Sequence, residues 1–413
     1  VKNNHKPKIR FPGVTGDWEL CKLKDISKIH DGTHQTPKYK HSGVKFVSVE
    51  DINDIEASNK YISTEDYETQ FKNKPEVGDI FMTRITAGII GATAVIESDD
   101  PIAYYVSLAL IKPSNKISSL FLSSYISTKE FKKELNKRII HTAFPKKINL
   151  ADIGECSVSR PSKEEQVKIG SFSKMLEDTI ALHQQELTIL KQTKQGFLQK
   201  MFPKEGKSVP EVRFPEFTGD WKQRRLDSMV DRLKSYPLSR DVETSDYTGY
   251  KYIHYGDIHT KVADKIDKSS NLPNIKAGNY ELLEKGDLVL ADASEDYKGI
   301  ATPAVITIDT PYKLVSGLHT IALRPKQVDS LFLYYLIKSP IFRKYGYRMG
   351  TGMKVFGISV TNLMKFESIF PSLEEQTKIG NFFEQLDNTI ALHQRELDTL
   401  KETKKAFLQK MFV

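Results

Sequence analysis

Cysteine is scarce in this chain. Its 413 residues include two, Cys21 and Cys156, with no Cys-x-x-Cys spacing. That argues against a disulfide framework or a thiolate zinc site, and the pair reads as reduced thiols of a cytoplasmic protein. No run of 18 apolar residues occurs, so no membrane span is expected. The basic stretch 1–10 is followed by no apolar core, so a secretory signal is not expected either. Catalytic signatures are missing too. There is no G-x-x-x-x-G-K-[ST] loop to cradle phosphates and no H-E-x-x-H metal helix. The Asn-Pro-Pro-[Tyr/Phe] motif of adenine methyltransferases is also absent. Gly350-Thr351-Gly352 lacks the third glycine of a dinucleotide fingerprint and reads as a loop. The expectation is a chain with no catalytic residue, no metal site and no cofactor of its own.

What is present is a positive balance, +8 at neutral pH, spread over a length that suits two domains. Such a balance favours a polyanionic partner only weakly.

The strongest signal is an internal repeat. Residues 161–202 and 371–412 align without a gap at an offset of 210, and 28 of the 42 positions are identical. Upstream, Arg10-Phe11-Pro12 and Thr15-Gly16-Asp17-Trp18 match Arg213-Phe214-Pro215 and Thr218-Gly219-Asp220-Trp221 at an offset of 203. The two middles align only in patches. Two copies keep one frame and carry different contents.

Each repeated tail reads as one long helix. Ser162 with Glu165, and Ser372 with Glu375, have the spacing of capping boxes, in which the glutamate reaches back to the cap N–H. Ile169, Phe172, Leu176, Ile180, Leu187 and Leu190 recur at heptad-like spacing, as do Ile379, Phe382, Leu386, Ile390, Leu397 and Leu400. A helix over 163–201 would be roughly 58 Å long. One such stripe cannot bury itself, so the two helices are expected to pair, antiparallel if the middles lie at opposite ends. The alternative is that each packs only on its own domain. His183 and His393 fall beside the stripe and read as polar register positions rather than metal ligands.

The middles read as mixed α/β. Strands are predicted at 44–49, 105–111, 287–290, 304–308 and 319–323, and helical segments at 120–137 and 331–345. Their loops mix cations with amides, hydroxyls and aromatics. Lysine and arginine can hold phosphates, while arginine and glutamine can read base edges. The first middle offers His34, Gln35, Thr36, Lys38, Lys40, Arg84, Lys146 and Lys147 as DNA-contact candidates. The second offers Lys234, Tyr236, Arg240, Lys298, Arg348 and Lys354. Asp79 and Asp287 each follow a glycine and read as turns entering strands, not as nuclease carboxylates.

The doubled Arg-Phe-Pro…Thr-Gly-Asp-Trp frame and the stretch from Asp31 to Pro37 resemble the specificity subunits of type I restriction–modification systems. So does the sequence P-S-x-E-E-Q-x-K-I-G, at 161–170 and 371–380. The resemblance covers essentially the whole chain. It implies an α+β architecture: two tandem mixed α/β target recognition domains, each followed by a long helix, the helices pairing as an antiparallel coiled coil with pseudo-two-fold symmetry. The corresponding division is 1–160, helix 161–203, linker 204–212, 213–370 and helix 371–413. It further implies a non-catalytic subunit that recognises an asymmetric bipartite site in double-stranded DNA. Two methyltransferase subunits and two restriction motor–nuclease subunits would join it. S-adenosylmethionine, ATP and Mg2+ would be used by those partners. A rigid spacer could hold two readers about one DNA turn apart, roughly 34–36 Å. The alternative function is a stand-alone DNA-binding regulator without methylation partners.

Overall fold

The computed structural model describes residues 6–352 and 354–412; part of the basic start 1–10 lies outside them. The chain forms two compact units, dividing between Gln185 and Glu186 and again between Gln394 and Arg395. The divisions fall within the long helices rather than where the sequence repeats end, because the last turns of each helix belong to a different unit from its first turns.

In the first unit an antiparallel four-stranded sheet runs in the order Ser27–Asp31, Leu108–Pro113, Ile80–Thr83, Thr93–Val95. A second sheet places Val44–Val47 between Tyr61–Ile62 and, in parallel, Ile102–Tyr104. In the second unit the order Val230–Leu233, Thr320–Pro325, Leu288–Ala291, Pro303–Ile306 repeats the first sheet, with Lys265–Ile266 added at the edge. The two units thus share a topology that their middle sequences barely announce.

Several segments differ from expectation for identifiable reasons. The segment 120–137 is two helices, Ser119–Ile126 and Lys129–Asn136, because Thr128 caps the second by accepting from the Phe131 N–H at 3.2 Å. Likewise 331–345 breaks at Ser339, since Pro340 cannot continue a helix and instead starts Pro340–Met349. The strand expected at 105–111 begins only at Leu108, after a turn in which the Leu108 N–H donates to the Tyr105 carbonyl.

The long helices are Lys163–Lys200 and Leu373–Lys410. Ser162 and Ser372 accept from the N–H groups of Glu165 and Glu375, but the glutamates do not reach back as a capping box would require. Each is buried and bound in two contacts by an arginine: Arg10 to Glu165 at 2.9 and 2.5 Å, Arg213 to Glu375 at 2.6 and 2.8 Å. The same arginines donate to the carbonyls of Gly16 and Gly219, both at 2.7 Å. This explains the repeated frame: its arginine, its Thr-Gly-Asp-Trp turn and its glutamate are one fastening. The tryptophans complete it, Trp18 against Phe121 and Trp221 against Phe332. Gln166 and Gln376 accept from the backbones of Ser118 and Asp329. Gly170 and Gly380 let the helices Ser119–Ile126 and Ser330–Lys338 approach, since a Cβ there would meet the Phe121 and Phe332 nitrogens at 2.7 and 2.9 Å. The shared signature is therefore a docking device between helix and domain.

None of the twelve stripe residues from Ile169 to Leu400 is exposed. Within the first unit Phe172 meets Phe407 at 5.0 Å and Lys404 pairs with Glu177 at 2.9 Å. Within the second, Phe197 meets Phe382 at 5.1 Å and Phe202 stacks on Phe383 at 6.0 Å. His183 and His393 stand 3.8 and 3.5 Å from Glu396 and Glu186, respectively. No helix among the described residues is long and apolar enough to cross a membrane.

Candidate nucleic-acid interface

In the first unit three loops leave the same end of the main sheet and meet at Arg84. Residues 80–83 are a fully buried strand, and Arg84 follows directly, 8% exposed. Its guanidinium donates to the Asp31 carboxylate at 2.7 Å and to the carbonyls of Val106 and Ile148. Its own carbonyl accepts from the Ile148 N–H at 3.0 Å and its N–H donates to the Ser107 carbonyl at 2.9 Å. Asp31 also holds His34 at 2.8 Å. Tyr104 donates its hydroxyl to the Asp31 carbonyl at 3.0 Å, and burial pushes that phenol well above its ordinary range.

Arg84 is therefore spent inside the protein, where it positions its neighbours. A buried arginine with a carboxylate and two carbonyls has few donors left for a phosphate. The exposed candidates are those it holds: His34, Gln35, Thr36, Lys38 and Lys40 on one loop, Lys146 and Lys147 on another. The lysine pair forms a short antiparallel ladder with Ile85–Thr86, directly beyond Arg84. Apart from His34, these side chains have no ion pair or hydrogen bond among the described residues, and they stand on a base that Arg84 ties together.

The second unit has the same backbone site with other side chains. Asp292 takes the position of Arg84: its carbonyl accepts from the Ile358 N–H at 2.9 Å and its N–H donates to the His319 carbonyl at 3.1 Å. The Asp292 carboxylate lies 3.2 Å from the His319 ring. Burial raises the Asp292 pKa and His319 opposes that rise. His319 has φ +55°, a left-handed backbone that costs a side-chain-bearing residue about 1–2 kcal/mol. Tyr255 packs its ring on His319 at 5.3 Å and on His254 at 4.5 Å. Burial lowers the His254 pKa and Arg240 adds to that, while its Nδ1 accepts from the Gly256 N–H at 3.1 Å.

Of the second unit's candidates, Lys234 lies 5.0 Å over the Tyr236 ring, and the Tyr236 hydroxyl accepts from the Glu281 N–H at 2.7 Å. Arg240 pairs with Glu243 at 2.6 Å and Asp257 at 2.8 Å. Lys298 and Lys354 are exposed on adjoining loops, linked where Phe356 meets Tyr297 at 3.9 Å. Arg348 is placed elsewhere, paired with Glu205 at 3.0 Å. Asp79 and Asp287 fold back on the N–H groups of Glu76 and Glu284 and bind Lys112 and Arg324, as turn residues do. Asp292, His319, His254 and Tyr255 were not among the sequence candidates. His254 matches Ser48, whose N–H likewise donates to the aspartate three residues on, but that offset of 206 falls between the repeat offsets of 203 and 210 and no motif marks it.

A duplicated scaffold that keeps its frame and varies the residues at one loop cluster can carry two different binding sites. A family model for the type I restriction modification DNA specificity domain matches twice, over residues 15–192 and 218–402. The chain belongs to that family, and reading DNA sequence for a type I restriction–modification system is its function. It is 23% identical to the specificity subunit assigned to the type I restriction enzyme MjaX of Methanocaldococcus jannaschii, over 98% of this chain and 95% of that one. It is also 23% identical to the MjaVIII specificity subunit of the same organism, over 96% and 92%. Its fold is that of a type I S subunit from M. genitalium, with TM-score 0.63, 14% identity and 99% of both chains covered. These matches do not favour a stand-alone regulator.

Proposed function

We propose that each unit reads one half of a split, asymmetric DNA site, and that the two long helices pair antiparallel to fix the gap between the halves. The observation that carries this is the substitution of Asp292 and His319 for Arg84 and Ser107 at one backbone site. Readers built alike but charged differently select different bases. In each unit the first turns of one long helix face the last turns of the other, as antiparallel pairing requires. Helices of 38 residues each supply a spacer of about 57 Å before overlap is counted.

In this reading the chain recruits two methyltransferase and two restriction subunits to the site it selects. The partners supply S-adenosylmethionine, ATP and Mg2+ chemistry, and this chain contributes recognition and geometry. Inserting four residues after Thr188 adds roughly one helical turn, which keeps the apolar stripe nearly in phase. The expected outcome is a longer accepted gap or loss of methylation. An unchanged gap would refute the spacer.

A further inference from the structure

An aromatic ring left in water gives up the stabilisation that burial would bring. Phe144 is 93% exposed, and Ile89 is 71% exposed. They stand on the two loops joined by the ladder of Lys146–Lys147 with Ile85–Thr86. The Phe144 loop is closed by the Ile140 N–H donating to the Lys147 carbonyl at 2.8 Å, and it is tied to the buried Arg84 through Ile148. Lys132, Lys146 and Lys147 are exposed nearby, and none of the three has an acid partner among the described residues. An apolar tip flanked by uncompensated cations on a fixed base complements a base stack bordered by phosphates.

We propose that Phe144 is a wedge that enters the base stack of the half-site read by the first unit, with Lys146 and Lys147 on the adjoining phosphates. The inference rests on the reading of the first unit as a half-site reader. The matching loop of the second unit supplies a contrast. It has the same ladder, Phe356–Gly357 with Ala293–Ser294, and Ile358 in the place of Ile148. At its tip stand exposed Lys354 and Val355, while Phe356 turns inward onto Tyr297. Among the described residues of this second loop no aromatic ring stands exposed, so the wedge is assigned to the first unit.

The test uses the full chain assembled with its methyltransferase subunits. A random duplex library first gives the selected motif. 2-Aminopurine is then placed at each step of each half. A several-fold rise in fluorescence is expected at one step of one half only. Phe144→Ala should abolish that rise and weaken binding to the selected site about tenfold, a loss typical of one base stack or base-pair contact. Binding to mixed-sequence DNA and the Tm should stay unchanged, because the ring packs against nothing in the fold. Phe144→Leu, still able to act as a wedge, should keep most of the rise. No rise at any step, or a rise that survives Phe144→Ala, overturns the proposal. Weakened binding without a rise also overturns it and assigns Phe144 to a groove contact such as a thymine methyl. Failure of the wild-type assembly to select any motif is a separate result, which brings down the half-site reading on which the wedge stands.

Discussion

The two units are alike where they hold themselves together and unlike where they face outward. Arg10 with Glu165 and Arg213 with Glu375 are the same fastening made twice. Arg84 with Asp31 and Asp292 with His319 occupy one backbone site with opposite charge logic. In the first unit the central group is a cation that positions a carboxylate and a histidine. In the second it is a half-buried carboxylate facing a histidine in a strained backbone conformation. The contrast teaches that the scaffold is fixed by a few buried, directional contacts, leaving the loop cluster free to vary. A reader can change without unfolding its frame.

Breaking the shared fastening should have the largest effect. Arg10→Ala or Arg213→Ala leaves a buried glutamate without its cation, and such losses typically cost about 3–5 kcal/mol. Each should lower the first unfolding transition in a thermal scan by several degrees and should do so in either unit alike. A change confined to one unit would show that the fastenings are not equivalent.

The next effect separates the readers. Arg84→Met should disorder the His34 loop and the Lys146–Lys147 ladder together, lowering discrimination in one half-site by about 1–3 kcal/mol per affected base pair. Asp292→Asn should do so in the other half only. Motif selection before and after each change reads this directly. Loss in both halves from either change would mean the units do not read independently.

A third comparison concerns stability and pH. In the second unit Asp387 accepts from the Tyr335 hydroxyl at 2.7 Å and pairs with Lys194 and Lys265. Burial pushes its pKa up, but the two lysines and the hydroxyl bring it below the ordinary carboxylate value. Its contribution is therefore present above about pH 4, the unfolded carboxylate value, and is lost as pH falls through the lowered folded value. The first unit has Glu177 at the repeat position, paired with Lys404 and exposed. Asp387→Asn should destabilise the second unit by about 1–3 kcal/mol at neutral pH and flatten its acid transition, measured by urea titration from pH 7 to 3. Glu177→Gln should change little.

The smallest effect is on salt dependence. Lys146→Gln and Lys147→Gln should each reduce the slope of log affinity against log salt by about 0.9, weakening binding evenly across sequences. An unchanged slope would place both lysines away from phosphate.

The frame was legible in the sequence because its parts are required together. An arginine, a turn, a tryptophan, a glutamate and a glycine recur because each closes a contact the others need. The apolar stripes were legible because helical periodicity announces burial. The readers were not. Arg84 reads in the sequence as a loop cation, but it is held inside by Asp31, 53 residues away in the chain, and no local pattern reports that. Asp292 and His319 carry no motif and are brought together by strand pairing alone. The glutamates at the helix starts have the spacing of a capping box, and nothing local reports that their partners are arginines 155 and 162 residues away.

The central claim is that two unlike readers on one chain select one split site. The most direct test is a single-base-resolution map of adenine methylation in a host carrying this chain, compared with the same host after its deletion. The account predicts that one motif loses methylation on deletion, and that its two specified halves differ in sequence across a fixed gap. Loss of a palindromic or uninterrupted motif, or no change in a host whose methyltransferase subunits are present and active, would contradict it.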